Sequence, residues 1–114
     1  MAHPGIAEII VKAGFEWVTI DMEHSVITVR EAEEMIRIID LGGSVPLVRL
    51  SSNDSVQIKR MMDAGARGLI VPMVNSIEDV EKAVAAVYYP GKGTRGVGLA
   101  RAQGYGAGFH ENLN

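Results

Sequence analysis

The chain has 114 residues, enough for one domain or part of one. Its 47% apolar and 22% charged residues make an ordinary globular balance, and a net charge of −3 with scattered basic residues argues against a nucleic-acid surface. Cysteine is absent, which excludes disulfides and thiolate metal sites, and no apolar run approaches the ~20 residues that span a bilayer. "MAHPGIAEII" lacks the basic start and long apolar core of a signal peptide, so a cytoplasmic protein without membrane partners is expected.

Helices and strands alternate along the chain. Ile6, Ile9, Ile10 and Ala13 share one face at helical spacing, and Gly14 can end that helix. "WVTI" follows as a short strand rich in residues that favour extended backbone. Thr28 and Glu31 make a capping-box pair that opens a second helix, with Val29, Ala32, Ile36 and Ile39 as its apolar stripe and Gly42-Gly43 at its end. "VPLVRL" is a second buried strand. Asp54, with Gln57 after it, caps a third helix that stops near Gly65, where Met61 and Met62 are expected as core filler. "GLIVPMV" is a third strand. Ser76 and Asp79 open a fourth helix with the stripe Ile77, Val80, Ala83, Val84 and Val87, and "YYPGKGTRGVG" breaks it.

Residues 12–25 and 63–76 align faintly, with Ala-Gly before the strand, Met past its end and Ser at the turn. Repeated β-α units would produce such a match, though so could chance. Near-continuous apolar strands fit a parallel sheet covered on both faces. The pattern of about three parallel strands and four helices suits a small open α/β sheet or part of a (β/α)8 barrel, which needs ~250 residues when complete.

In parallel α/β folds, reactive groups gather at the carboxyl ends of strands. Asp21, Glu23 and His24 in "TIDMEHS" follow the first strand, Arg49 closes the second, and Pro72 and Asn75 follow the third. A permanent guanidinium beside an imidazole suits proton transfer next to a carbonyl, or cleavage of a carbon–carbon bond beside one. The plainer alternatives stand beside this. A His past a strand end is more often a surface or packing residue, Asp21 can be a turn cap, and Glu23 can be a solvated carboxylate. Arg49 is the more suggestive, because an Arg in an apolar strand needs a partner. "GKGTRGVG" lacks both the P-loop and the dinucleotide spacing, and its place after a helix fits a lid or contact loop better. His3 and His110, near the termini, read as incidental.

"AGFEWVTIDMEHS", "VPLVRLSSND", "QIKRMMDAGARGLIVPMV" and "YYPGKGTRGVGLARAQGYG", in that order, resemble the class II, metal-dependent pyruvate aldolases of the 4-hydroxy-2-oxoheptanedioate and 2-keto-3-deoxy-sugar-acid type. The resemblance implies a (β/α)8 barrel of the phosphoenolpyruvate/pyruvate superfamily, usually a hexamer. Residues 1–114 would then be the N-terminal part of one such domain, without its first strand and its second half. It implies retro-aldol cleavage of a 4-hydroxy-2-oxo acid to pyruvate and an aldehyde. A divalent metal (Mg, Mn or Co) would be held by acidic residues of later strands, outside this chain. By the same resemblance His24 matches the catalytic base, and Arg49 the cation that binds substrate and stabilises charge on its oxo group. Asp63 matches an Asp that raises the basicity of that His. Asp63 conflicts with the element order, since a helix over 54–64 should end at the rim opposite His24. Either the helix ends differently or Asp63 acts on a neighbouring subunit, and Asp21 is an alternative orienter. The alternative function is a non-catalytic half-barrel that acts through self-association or binding; a small open-sheet binding domain is a third.

Overall fold

The computed structural model describes residues 3–88. They form α1 (Pro4–Lys12), β1 (Trp17–Asp21), α2 (Val29–Leu41), β2 (Val45–Arg49), α3 (Ser55–Ala64), β3 (Gly68–Ile70) and α4 (Ile77–Val87). The strands make one parallel sheet in the order β1-β2-β3. Each helix returns the chain to the amino end of the next strand, so all three strand carboxyl ends lie on one rim.

The helix ends follow local chemistry. Thr28 Oγ1 accepts from the Glu31 amide at 3.2 Å, and the Glu31 carboxylate accepts from the Thr28 amide at 3.0 Å, closing the expected capping box. Those contacts, first the Thr28 backbone amide, hold the Glu31 carboxyl below the usual carboxylate range. Asp54 caps α3, but Gln57 does not complete a box there. Its side chain reaches back to Ser51, accepting from the amide at 3.0 Å and donating to the hydroxyl at 2.8 Å. Gly65 ends α3 at φ 105°, a left-handed conformation that costs glycine no Cβ clash. His3 proves to be the N-cap of α1, its Nδ1 accepting from the Gly5 amide at 3.0 Å, with Pro4 at the first helical position.

The core centres on α2. Ala32, Met35, Ile36 and Ile39 are buried against Ile20 and Val48 of the sheet, with Ile58 and Met61 of α3 beside them. Met61 is fully buried and Met62 packs at the margin, as core filler should.

Three expectations about packing need correction. On α1 the inward residue is Ala7, flanked by half-buried Ile6 and Ile10, while Ile9 and Ala13 face outward. On α4 the buried residues are Ala83 and Ala86, whereas Ile77, Val80 and Val84 are exposed. Helical spacing marks an apolar face but does not say which neighbour covers it. The third strand ends at Ile70, because Leu50 takes the Ile70 carbonyl as the last bond beyond the β2 register. Pro72 then has no N–H to offer, and Met73 turns left-handed at φ 56°. No helix among the described residues is long and apolar enough to cross a membrane. The segment "GKGTRGVG" and His110 lie outside the described residues.

Candidate active site

The rim holds one dense polar cluster, and strand register builds it. In the parallel pairing of β1 with β2, Trp17 meets Val45 and Asp21 meets Arg49. Residues paired in register on adjacent parallel strands send their side chains to the same face. Arg49 Nε donates to Asp21 Oδ1 at 3.1 Å and Nη2 donates to Oδ2 at 2.5 Å, a two-bond fork.

The same Asp21 Oδ1 also accepts from the backbone amides of Glu23, at 2.9 Å, and His24, at 3.1 Å. The Ser25 hydroxyl donates to the Asp21 carbonyl, and the Met22 amide donates to the Arg49 carbonyl at 2.8 Å. "TIDMEHS" is therefore a turn tied to both strands, with Met22 buried beneath it. The Arg49 fork foremost, and then the His24 amide, hold the Asp21 carboxyl well below the usual carboxylate range; Asp21 in turn raises the Arg49 guanidinium.

Glu23 joins the two reactive candidates. Its Oε1 lies 3.2 Å from His24 Nε2 and 3.6 Å from Arg49 Nε. His24 is 70% exposed and Glu23 only 21%, so the imidazole stands out from the rim on a half-buried carboxylate. The structure thus brings together Asp21, Glu23, His24 and Arg49. Glu23 received no role in the sequence reading. Its alternation with Asp21 around buried Met22 was the available signal that both carboxylates flank one side chain turned inward.

Asp63 lies elsewhere. It occupies the last turn of α3, next to the amino end of β3, and its Oδ2 accepts from Lys59 Nζ at 2.9 Å. That is the rim opposite His24 within this chain. Asn75, past β3, turns inward on its own loop, with its amide on Asp79 and its side chain on the Met73 carbonyl.

The cluster does not fit a metal centre. Among the described residues no group of three or more His, Asp or Glu side chains could hold an ion. Both Asp21 oxygens face the Arg49 guanidinium, and Glu23 Oε1 is shared between His24 and Arg49.

The sequence pattern of the HpcH/HpaI aldolase/citrate lyase family matches residues 1–112. The chain belongs to that family. It is 39% identical over 116 aligned residues to a 2-dehydro-3,6-dideoxy-6-sulfogluconate aldolase of Pseudomonas putida, covering 99% of this chain and 46% of that protein. It is 44% identical over 103 residues to a 4-hydroxy-2-oxo-heptane-1,7-dioate aldolase of Salmonella arizonae, covering 90% and 39%. A crystal structure of a family protein from Burkholderia cenocepacia superposes with a TM-score of 0.90 at 32% identity, over 99% of this chain and 46% of that one. Macrophomate synthase superposes with a TM-score of 0.79 at 25% identity, over 98% and 42%. The parallel sheet and its four helices are therefore a part of the family's (β/α)8 barrel, and the chain spans less than half the length of these relatives.

Proposed function

We propose that this chain carries the base-and-cation part of an aldolase site that cleaves a 4-hydroxy-2-oxo acid to pyruvate and an aldehyde. The supporting observation is the single cluster in which His24 and Arg49, from adjacent strand ends, share Glu23 Oε1 at 3.2 and 3.6 Å. The relatives named as aldolases of 2-oxo acids support the substrate class.

In this reading His24, directly or through a water, takes the proton of the 4-hydroxyl group. The oxygen's electrons form the aldehyde carbonyl as the C3–C4 bond breaks, and that bond's electrons pass into the enolate of pyruvate. Arg49 stands beside the charge that develops on the 2-oxo oxygen and stabilises it. A proton from water then adds at C3 to give pyruvate, balanced by release of the proton held on His24 to solvent.

The divalent metal belongs to the reading as well, with Mg, Mn or Co as candidates. Its ligands would lie outside the described residues. The segment is read as the N-terminal part of one barrel domain of a cytoplasmic homo-oligomer, hexameric by resemblance. Asp63 would act on a His24 only across such a subunit contact, so its role as a catalytic residue depends on assembly.

Exposed Ile70, Val74, Ile77, Val80 and Val84 around β3 and α4 are the face that the rest of a barrel would cover in the first reading and that self-association would cover in the second, a non-catalytic segment. One experiment separates the two. Pyruvate release from 4-hydroxy-2-oxo acids is measured with the gene's full product and added Mg or Mn, native and His24→Ala. A fall of about a hundredfold or more is expected. Unchanged turnover would remove His24 as the base, and no turnover from the native protein would favour the second reading.

A further inference from the structure

We infer that Asp21 is the positioning residue of the His24–Arg49 pair: one carboxylate holds the Arg49 guanidinium from β2 and the Glu23–His24 backbone from β1 together. The inference rests on the reading of His24 and Arg49 as the reacting groups. The sequence offered Asp21 only as an alternative orienter of His24; its hold on Arg49 appears only in the strand register.

The geometry exceeds what a turn requires. Two backbone amides on Oδ1 would suffice to shape the turn after β1. The Arg49 fork adds nothing to that turn, and its partner is 28 residues away in sequence. Stability is a weak reason for it, because the two side chains are 37% and 32% exposed, and ion pairs at such exposure contribute little. Orientation is the stronger reason. A free Arg side chain samples many rotamers, and a planar fork selects one. Of the five N–H donors on a guanidinium, the fork uses Nε and one on Nη2, leaving the rest for an anionic ligand. Since His24's own amide sits on the oxygen that Nε contacts, the guanidinium and the backbone from which the imidazole springs are fixed relative to each other.

Arginine side-chain NMR tests this without reference to catalysis. In the native chain the Arg49 Nε–H should exchange with solvent at least about fivefold more slowly than that of exposed Arg30, as a charge-assisted hydrogen bond requires. Asp21→Asn keeps an acceptor for Nε but loses the charge and sets a donor against Nη2, so it should reduce that protection and shift the His24 amide resonance, while Asp40→Asn, which weakens the Asp40–Arg67 pair, should leave both unchanged. In the turnover assay Asp21→Asn should lower kcat about 10- to 100-fold with KM changed less than about threefold, as a misplaced catalytic group does. An Arg49 Nε–H as fast as that of Arg30 in the native chain would overturn the inference, even if no variant folds. Full kcat in Asp21→Asn would overturn it too. Turnover that survives His24→Ala would instead remove His24 as the base, and no turnover from the native protein would sink the aldolase reading; neither result touches the fork itself.

Discussion

Asp21 and Arg49 are register partners at the carboxyl ends of adjacent parallel strands, and their side chains close a fork at 3.1 and 2.5 Å. This pair sets the rim on which His24 stands. It also gives the acid stability of the fold a defined direction.

The Asp21 carboxyl is lowered in the folded chain, chiefly by the Arg49 hydrogen bond and next by the His24 amide. A depressed folded value means that Asp21 stabilises the fold above its unfolded pKa, near 4, and loses that contribution as pH falls through the folded value. Urea unfolding between about pH 2 and 7 should therefore show stability falling below about pH 4. Glu31, also held low, shares in that fall, and Asp21 is about a third exposed, so Asp21→Asn should remove only a small part of it; an unchanged profile would show that the fork does not couple to folding.

Thr28→Ala removes the acceptor for the Glu31 amide and opens the capping box of α2. A loss of about 1 kcal/mol in unfolding free energy is expected. No loss would mean that packing of α2 alone fixes its start.

Ile36 and Ile77 test which helix faces form the core. Ile36 is fully buried beneath the sheet and Ile77 is 77% exposed. Ile36→Ala should cost about 2–5 kcal/mol, whereas Ile77→Ala should stay within about 0.5 kcal/mol. Comparable losses at both would show Ile77 covered in solution.

Gly42 is needed for space. A Cβ there would run into Val11 Cγ1 of α1 and approach the Ile38 carbonyl to 3.1 Å, although φ −80° suits any residue. Gly42→Ala should cost about 1–3 kcal/mol, and the Val11→Ala background should relieve much of it. An identical loss in both backgrounds would rule out this contact.

Much of the scaffold was legible because its determinants are local. The Thr28–Glu31 box, the Asp54 and Ser76 caps and the left-handed Gly65 each act within a few residues. The length of β3 was not, since it depends on where β2 stops offering partners and on the Met73 backbone. The outward face of α4 was hidden for a similar reason: its apolar stripe shows in the sequence, but its neighbours do not. At the site, the strand-end rule placed His24 and Arg49 on one rim. The Asp21 fork and the Glu23 bridge needed the strand register, which sets residues 28 positions apart against each other. Asp63 came from resemblance alone, and α3 carries it to the far rim of the sheet.

The most direct measurement is a double-mutant cycle on pyruvate release from a 4-hydroxy-2-oxo acid, comparing native, His24→Ala, Arg49→Ala and the double variant of the gene's full product. Groups that act as one unit are non-additive, so the double variant should be about as inactive as the worse single variant. Losses that simply multiply would show that His24 and Arg49 contribute independently and not as one unit, and full turnover in either single variant would contradict their pairing outright.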